Sequence, residues 1–245
     1  MKYYLICVII YQMFDKITRS EIMMINIAVD GPAGAGKSYL AKEIARRLGY
    51  IYVDTGALYR TVAYCVTVNG VDPSDSEGVI KLLPSVSVTL SYAEDGTQHV
   101  YLSGKDVSAE IRLPHISMAA SVVSAIPEVR AFLLDLQRNM AKTNNVVMDG
   151  RDIGTVILPN ADVKIFLCAN EKARAKRRYL ELTAKGIETT LEAVEAEMYT
   201  RDKNDSTRKV APAVAAPDAV ILDNSELDRE STVEAAIAII RSKIS

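Results

Sequence analysis

The sequence predicts an α/β fold in which helices cover both faces of a five-stranded parallel sheet. Five short segments are rich in β-branched residues and almost continuously apolar, which is typical of strands buried on both faces. Helical segments separate them, and this alternation predicts a doubly wound core. The strand candidates, in chain order, are Ile25–Asp30, Tyr50–Asp54, Asn145–Asp149, Asp162–Cys168 and Asp218–Asp223.

Helices are predicted between these strands from amphipathic patterns with recognisable ends. Lys37–Leu48 stops at Gly49, and Leu58–Val68 stops at Asn69-Gly70. A third helix spans about 127–142 and begins at a proline, a residue that favours the first turn of a helix. These segments supply the helical layers that a parallel sheet requires.

The segment Ser85–Gly104 breaks this rhythm, because polar and apolar residues alternate along it around Asp95-Gly96. Alternation with period two predicts a β-hairpin, and Asp-Gly suits a type I′ turn. A hairpin among βα units predicts a small subdomain attached to the core.

Composition places the chain among soluble globular proteins. Its 245 residues suffice for one large α/β domain or two smaller ones, with 49% hydrophobic and 24% charged residues. A net charge of −2 gives no support for broad nucleic-acid binding. Cys7, Cys65 and Cys168 form no CxxC pair, so neither a disulfide framework nor a zinc site is predicted, which fits a reducing cytoplasm.

The first 22 residues differ from the rest of the chain. Tyr3–Ile10 is apolar but far shorter than the roughly 20 residues of a membrane span. The segment also lacks the basic start and the cleavage site of a signal peptide. We interpret residues 1–22 as an ill-ordered extension from an upstream start codon rather than an anchor, with Met23 or Met24 as the true start. The domain proper then spans 23–245.

The stretch GPAGAGKS at Gly31–Ser38 satisfies the phosphate-loop pattern G-x-x-x-x-G-K-[ST]. It directly follows the first predicted strand and opens the first helix, so backbone N–H groups and the helix N-terminus can surround phosphate oxygens. Lys37 would reach the β- and γ-phosphates, and Ser38 would ligate Mg²⁺. The sequence therefore predicts nucleoside triphosphate binding. The predicted ATP-binding residues are Gly31, Pro32, Ala33, Gly34, Ala35, Gly36, Lys37, Ser38 and Tyr39.

Phosphate-loop proteins include GTPases, ATPase motors and small-molecule kinases. The sequence contains no N-K-x-D motif to read guanine, and a motor ATPase is usually embedded in a larger machine. A small-molecule kinase needs a second anion site and arginines over the transferred group, because phosphoryl transfer is catalysed mainly by positioning and charge neutralisation. The distribution of arginines therefore decides between these classes.

The first arginine cluster lies within 170–186. Arg174, Arg177 and Arg178 lie at i, i+3 and i+4, so one helical face carries their guanidinium groups. Like charges so close together repel one another unless an anion binds. The face is either a solvated basic surface or a lid that folds onto a triphosphate, and the spacing favours the lid.

Further arginines are ambiguous on spacing alone. Arg201, Asp205 and Arg208 lie at i, i+4 and i+7. This stripe is either plain ion pairing or a carboxylate between arginines, which suits a ribose diol beside a phosphate. Arg60 lies in the second turn of the helix after the exit turn Asp54–Gly56. It is either a solvated helix residue or a ligand for an acceptor phosphate above the carboxyl edge of the sheet.

The turn DGRD at Asp149–Asp152 follows a core strand and carries more charge than a turn needs. Gly150 would let the chain turn tightly. Asp149 stands where phosphate-loop folds place an acid that holds Mg²⁺ or water. The surplus charge indicates a site.

Six stretches, taken in order, resemble the bacterial cytidylate kinase family: VDGPAGAGKS, VDTGALYR, SAEIR, AASVVSAIPEVR, DGRDIGTVILPNADVKIFL and RDKNDSTRKVAP. The resemblance runs from about Ile25 to the C-terminus. The phosphate loop is widely shared, but DTGALYR followed by DGRDIGTV and RDxxDxxR is specific to this family. The resemblance implies a phosphate-loop nucleoside monophosphate kinase fold, with an acceptor-side insert at about 56–126 that includes the β-hairpin and a helical lid at about 170–187.

The resemblance also implies the reaction, direct in-line transfer of the γ-phosphoryl group of Mg-ATP to CMP or dCMP. It implies that Arg60, Arg151 and Arg208 hold the acceptor phosphate. It implies that Ser121, Arg130 and Asp152 hold the cytosine, and that Arg201 and Asp205 hold the sugar. Thr55 stands where the family usually has serine, so its added methyl group would crowd the pocket slightly. The predicted catalytic set is Lys37, Asp149, Arg151, Arg174, Arg177 and Arg178, with Ser38 as the Mg²⁺ ligand and Asp149 in indirect contact with the metal.

The chemistry of cytosine agrees with these roles. Its exocyclic amine is a donor, and its N3 and O2 are acceptors, so a carboxylate and a guanidinium complement it. Uracil replaces the amine with a carbonyl, and Asp152 would then face an acceptor and disfavour UMP.

We therefore expect a monomeric, cytoplasmic, Mg²⁺-dependent CMP and dCMP kinase of pyrimidine metabolism, with no nucleic-acid or membrane partner. A kinase for another small acceptor, such as shikimate or UMP, is the first rival. A nucleotide-dependent switch protein that hydrolyses ATP slowly is the second.

Overall fold

The computed structural model describes residues 24–94 and 96–244. The predicted extension 1–22 and the alternative start at Met23 lie outside these residues. In chain order the strands are β1 (Asn26–Asp30), β2 (Ile51–Asp54), β3 (Val88–Tyr92), β4 (Gln98–Leu102), β5 (Lys105–Asp106), β6 (Val146–Asp149), β7 (Val163–Cys168) and β8 (Val220–Asp223). The helices are α1 (Lys37–Leu48), α2 (Thr55–Val68), α3 (Ser76–Leu82), α4 (Pro114–Val123), α5 (Pro127–Thr143), α6 (Glu171–Ala184), α7 (Leu191–Thr207) and α8 (Arg229–Ile244).

Within the described residues, five parallel strands form the core sheet in the spatial order β2-β6-β1-β7-β8. The predicted five-stranded parallel sheet is thus confirmed. The central strand β1 is buried along almost its whole length because it has a neighbouring strand on each side and helices above and below. Its continuous apolar run follows from this position.

Helices cover both faces of the sheet, as predicted. On one face, Leu40 and Ile44 of α1 pack with Val233 and Ile237 of α8 against Ile27 of β1. The opposite core packs Met148 of β6 against α5 and against the segment that follows β6. The sheet is therefore buried from both sides, and its carboxyl edge is left for the loops.

Two helix starts illustrate what the sequence signals capture. The predicted helix from Pro127 is confirmed as α5. The predicted start of α2 at Leu58 is wrong, because the helix begins at Thr55, directly after β2. Asp54 acts as its N-cap, and its carboxylate accepts a hydrogen bond from the backbone N–H of Ala57 at 2.8 Å. The predicted exit turn is thus already helical.

The predicted hairpin is confirmed as the antiparallel pair of β3 and β4, to which β5 adds a further strand that was not predicted. The predicted type I′ turn is wrong. Gly96 N–H donates to Ala93 O at 2.9 Å and Ala93 N–H donates to Thr97 O at 3.0 Å, so the turn lies one residue earlier and the loop is longer. After two-residue loops, loops of about three residues are the next most common connection in β-hairpins. The small sheet packs on α2 through Val100, Val107 and Ala57.

One turn of π-helix, Ile153–Ile157, follows DGRD and was not predicted. The N–H groups of Ile157 and Leu158 donate to the carbonyl oxygens five residues earlier, those of Asp152 and Ile153, at 3.2 and 2.7 Å. Single π-helical turns are rare and are frequent at functional sites.

None of the individual helices in the described part of the chain is long and apolar enough to cross a membrane, although α4 and α5, joined at a bend of 102°, meet that length and composition criterion as a pair.

Candidate active site

A cleft of about 800 Å³ lies beyond the carboxyl ends of β1, β2 and β6. This edge is where doubly wound sheets bind their ligands. One end of the cleft is formed by the phosphate loop, Gly31–Ser38, and we call it the phosphate-loop end. The opposite end, which we call the arginine end, is defined by Arg60, Arg130, Arg151, Arg201 and Arg208. Both predicted anion sites therefore open into one space.

The phosphate loop begins directly after β1, and its first residue is closely packed. A Cβ atom on Gly31 would lie 2.0 Å from the backbone oxygen of Leu167, and φ of Gly31 is +146°, so only glycine fits. Of the predicted ATP-binding residues, Ala33–Tyr39 line the cleft, whereas Gly31 and Pro32 do not. Ala33 N–H donates to Asp202 Oδ1 at 2.9 Å, which ties the loop to α7.

Lys37 is buried at the start of α1, 6% exposed. Its Nζ donates to the carbonyl oxygen of Pro32 at 2.7 Å. Burial, together with the positive charge of Arg151, holds the pKa of Lys37 well below its usual value, while Asp149 opposes this shift. An anion in the cleft would favour the charged form of Lys37 and be stabilised by it.

Ser38 and Asp149 form the predicted metal-binding pair. Ser38 Oγ donates to Asp149 Oδ2 at 2.7 Å, and the hydroxyl of Tyr52 donates to Asp149 Oδ1 at 3.0 Å. Burial and the nearby charge of Asp54 raise the pKa of Asp149. Within residues 24–94 and 96–244, no cluster of at least three His, Cys, Asp or Glu side chains could hold a metal. The oxygen donors fit Mg²⁺, which is usually held by one or two carboxylates and by substrate phosphates.

Gly150 and Thr55 pack tightly beside Asp149. Thr55 Oγ1 donates to the backbone oxygen of Asp149 at 2.8 Å. A Cβ atom on Gly150 would lie 2.6 Å from Ile153 Cδ1 and 2.8 Å from Thr55 Oγ1. The chain bends at 150–152, where a turn was predicted, but the φ of Gly150 is not in the positive range, so no left-handed conformation requires glycine there. The position needs glycine for close approach rather than for a positive φ.

At the arginine end, the predicted acceptor-side residues come together from separate elements. Arg130 and Arg208 both donate to Asp152, the latter from Nη2 to Oδ1 at 3.2 Å. Arg151 Nε donates to Asp205 Oδ2 at 3.0 Å. The full predicted set of Thr55, Arg60, Ser121, Arg130, Arg151, Asp152, Arg201, Asp205 and Arg208 lines the cleft.

The stripe of Arg201, Asp205 and Arg208 is not one helical face. The helix α7 ends at Thr207, and Arg208 has extended backbone angles. Because Arg208 leaves the helix, its side chain reaches Asp152 and Ser124 rather than Asp205. Asp205 Oδ1 accepts a hydrogen bond from Ser121 Oγ at 3.0 Å.

Carboxylates neutralise the arginine end internally. Burial alone would raise the pKa of Asp205, but Arg151 and Arg201 outweigh it and hold the pKa below its usual value. The pKa of Asp54 is also lowered, because Arg60, the N–H of Ala57 and Arg112 together outweigh burial; Arg60 Nη2 donates to Asp54 Oδ2 at 2.8 Å. Burial dominates at Asp152 and raises its pKa, although Arg130 and Arg208 oppose it. These carboxylates act as counterions that an incoming phosphate can replace.

Arg201 differs from the other four arginines of this end because no ion pair holds it among the described residues. Its Nε, like that of Arg60, has no hydrogen-bond partner there. Burial, aided by the positive charge of Arg151, lowers the pKa of Arg201 to about 10. A buried cation without a full set of acceptors favours the binding of an anion or a polar ligand.

The arginines of α6 do not act as one face. Arg174 lies outside the cleft, where Nη1 donates to Ala33 O at 2.9 Å and pairs with Asp202. Arg177 and Arg178 line the cleft. Arg177 Nη2 donates to Asn224 O at 2.7 Å, and Arg178 pairs with Glu181 of its own helix. Arg174 pairs with Asp202 of α7, and the spacing of residues within α6 could not reveal this pairing. The catalytic role assigned to Arg174 stays a prediction.

Several residues of the cleft were missed by sequence reasoning. Tyr52 holds Asp149, and the ring of Tyr59 lies 5.4 Å from the guanidinium carbon of Arg130. Asn224 follows β8, and its Nδ2 donates to Ala35 O at 3.1 Å. The rule that ligands gather at strand carboxyl ends could have found Asn224. Tyr52 lies within an apolar strand and carries no such signal.

Comparisons with known proteins show which family this chain is similar to. The family model for “Cytidylate kinase” matches residues 27–242. The cytidylate kinase of Caldicellulosiruptor bescii is 46% identical over 215 residues, which cover 88% of this chain and 95% of that protein. The cytidylate kinase of Lactiplantibacillus plantarum is 46% identical over 219 residues, which cover 89% of this chain and 96% of that protein. The solved structure of an uncharacterized protein from Eubacterium ventriosum has a TM-score of 0.50 at 13% identity, covering 89% of this chain and 99% of that chain, and it bears on the fold alone.

Proposed function

The chain belongs to the cytidylate kinase family, and we propose how its cleft carries out the reaction of that family, the transfer of the γ-phosphoryl group of ATP to CMP or dCMP. The products are CDP or dCDP and ADP. ATP would occupy the phosphate-loop end, and the nucleoside monophosphate would occupy the arginine end. The two ends share one cleft, so the reacting groups can meet directly, without a covalent enzyme intermediate.

The observation that carries the acceptor assignment is the pairing of Asp152 with Arg130 and Arg208 in a buried part of the cleft. The exocyclic amine of cytosine would donate to an Asp152 oxygen, and Arg130 would donate to N3 or O2. Ser121 would complete the contacts to the base. A carboxylate in this place opposes uracil, because the uracil carbonyl would leave it without a donor.

The acceptor phosphate would be held by Arg60, Arg151 and Arg208. Each now pairs with a carboxylate, namely Asp54, Asp205 and Asp152 respectively. Guanidinium groups bind phosphate with paired hydrogen bonds, which fix direction as well as charge. Arg201 and Asp205 would hold the sugar. Binding of CMP thus exchanges internal ion pairs for contacts with the ligand.

Transfer requires neutralisation of the charge on the phosphoryl oxygens. Lys37 would bind the β- and γ-phosphates. Arg177 and Arg178 would approach the phosphates from α6, which lies within the proposed lid at about 170–187. The backbone N–H groups of the loop complete the cradle. Arg174, by its bond to Ala33 O, would act on the shape of the loop.

Ser38, with Asp149 behind it, would hold Mg²⁺ that enters with ATP. When bound, the ion would supply positive charge that neutralises the phosphate groups of ATP. The hydrogen bond from Tyr52 would keep Asp149 oriented toward Ser38. Activity that survived removal of divalent cations by a chelator would contradict this part of the proposal.

The acceptor assignment is tested by measuring turnover with CMP, dCMP, UMP and AMP side by side. We expect CMP and dCMP to be the best substrates. UMP as the best acceptor by tenfold would overturn the assignment. ATP consumption that did not change when CMP was added would instead support the rival reading of a slow nucleotide switch.

We also propose that the enzyme works as a monomer in the cytoplasm, within pyrimidine nucleotide metabolism, on small molecules alone. The monomer is supported by a cleft whose proposed substrate-binding residues all belong to one chain. The cytoplasm is supported by Cys65 and Cys168, which are free thiols. A sedimentation mass of two or more chains at working concentration would contradict the monomer.

A further inference from the structure

Asp30 is a buried carboxylate that the proposed mechanism does not use. It is the last residue of β1 and is 4% exposed. Its oxygens accept hydrogen bonds from the backbone N–H groups of Ile153 and Gly154, each at 2.8 Å. These N–H groups open the π-helical turn, and the first N–H groups of a helical turn have no partner within it. Asp30 therefore caps this turn from a different strand.

This cap joins the two ends of the cleft. On one side, Gly31 follows Asp30 and begins the phosphate loop, where it is fixed against Leu167. On the other side, Ile153 directly follows Asp152, whose carbonyl oxygen accepts from Val156 N–H at 2.9 Å. The Asp30 side chain thus links the phosphate loop to the turn that carries Arg151 and Asp152, in addition to the hydrogen bond from Gly150 N–H to Val29 O at 3.1 Å.

The position is costly for a carboxylate. Burial raises the pKa of Asp30 to about 6, although the N–H groups of Gly154 and Ile153 lower it. Asp152 and Lys37 are the charged groups that act on it, in opposite directions. Burying such a group is unfavourable unless its hydrogen bonds compensate. The benefit therefore lies in the geometry that the carboxylate imposes on the turn.

We propose that Asp30 is a positioning residue that fixes Arg151 and Asp152 at one separation from the phosphate loop, so that the acceptor phosphate and the γ-phosphate meet in line. This inference rests on the proposed CMP kinase reaction. It matters because a misplacement of about 1 Å at reacting groups can cost about 100-fold in rate. Asp30 itself touches no substrate in this scheme and acts through Ile153 and Gly154.

The main test is Asp30→Asn. The asparagine oxygen can still accept one N–H, but its amide group faces the other N–H, so one bond is lost. We expect kcat to fall by about tenfold or more, KM for CMP to rise about tenfold and the preference for CMP over UMP to fall, with KM for ATP changed by less than about threefold. The matched control is Asp162→Asn, because Asp162 Oδ2 accepts the N–H of Asn26 at 2.7 Å at the opposite end of β1. The control should leave both KM values unchanged.

Amide hydrogen exchange over 150–158 in the full chain gives a readout that does not depend on activity. We expect faster exchange at Ile153 and Gly154 in Asp30→Asn than in Asp162→Asn. Exchange and KM for CMP equal to those of the control would overturn the proposal. Equal rises of both KM values would also overturn it, since they indicate general destabilisation.

A second variant covers the case in which Asp30→Asn does not fold. Asp30→Ser is uncharged and keeps one oxygen acceptor, and the same two outcomes apply to it. Wild-type protein that failed to phosphorylate CMP would overturn the proposed function. The exchange comparison would still decide whether Asp30 fixes the turn, so the two failures are distinguishable.

Discussion

The two ends of the cleft bind anions by different means. The phosphate-loop end relies on backbone N–H groups, one helix N-terminus and Lys37, all within Gly31–Ser38. The arginine end is assembled from side chains of α2, α4, α5, α7 and the turn after β6, each with a carboxylate or hydroxyl partner. The first end is local in sequence and has fixed geometry. The second is dispersed, and in the proposed function its arginines would exchange carboxylate partners for the ligand.

This difference explains why the ends respond differently to substitution. The backbone N–H groups of the phosphate loop cannot be removed by changing one side chain. The charged side chain of the loop, Lys37, can be. At the arginine end every guanidinium except that of Arg201 is paired with a carboxylate among the described residues, so a change at one of these arginines removes a counterion from a buried carboxylate. Substitutions there should alter selectivity and stability together.

The largest effect is expected for Lys37→Met, which keeps the length of the side chain and removes its charge. We expect kcat to fall by about 1,000-fold or more, because charge neutralisation on the transferred group is the main source of catalysis. Steady-state kinetics measure it, with the exposed Lys81→Met on α3 as control. A loss confined to KM for ATP would mean that Lys37 only binds.

The next effect concerns Asp30, which connects the two ends. Its pKa of about 6 in the folded protein lies above the usual 3.8, so the folded state holds the proton more tightly than the unfolded state. The contribution of Asp30 to the free energy of unfolding is therefore largest below about pH 3 and falls as pH rises through about 6; about 3 kcal/mol is lost in all, of which about 2 kcal/mol is lost between pH 4 and 6. Urea unfolding of the wild type and Asp30→Asn across this range should show curves that converge or cross. Parallel curves would contradict the shift.

Asp152→Asn tests the selectivity of the arginine end. An asparagine can turn its amide donor toward the uracil carbonyl, so we expect the CMP-over-UMP preference to fall about thirtyfold, within the range for one paired base contact. Ratios of kcat/KM for the two substrates measure it, and Asp135→Asn on α5 serves as control. An unchanged ratio, with CMP binding weakened, would assign Asp152 to structure alone.

The smallest effect is expected for Arg174→Gln. Arg174 contacts the phosphate loop at Ala33 O and Asp202 from outside the cleft, so the loop should loosen. We expect KM for ATP to rise about fivefold with KM for CMP unchanged, a change of about 1 kcal/mol, which is the net value of one ordinary hydrogen bond. The exposed Lys176→Gln on the same helix is the control. A large fall in kcat at unchanged KM would instead support the direct catalytic role predicted from sequence.

The sheet and the phosphate loop could be predicted because their signals are contiguous. Strand burial appears as an apolar run, and the loop motif lies between a strand and a helix. The start of α2 was missed because Asp54 is both the last strand residue and the helix cap, which leaves no separate turn to see. The separation of Arg174 from Arg177 depends on Asp202, which is distant in sequence.

The arginine end was placed through family resemblance rather than spacing. Spacing alone left Arg60 and the stripe from Arg201 to Arg208 undecided, because each position has an ordinary surface explanation. The roles of Gly150 and Asp30 depend on packing against Ile153 and on backbone N–H groups across the sheet. Contacts between segments more than 100 residues apart leave no local pattern in the sequence.

The side chain of Gln98 has a consequence for the edge of the core sheet. The strand β2 lies at the edge of the core sheet. Gln98 Oε1 accepts from Asp54 N–H at 2.9 Å, and its Nε2 lies 3.5 Å from Asp54 O, so the amide occupies the place of a neighbouring peptide group. An uncovered edge strand is a template for pairing with another chain and for aggregation. The hairpin subdomain therefore seals the sheet at the point where β2 meets the cleft.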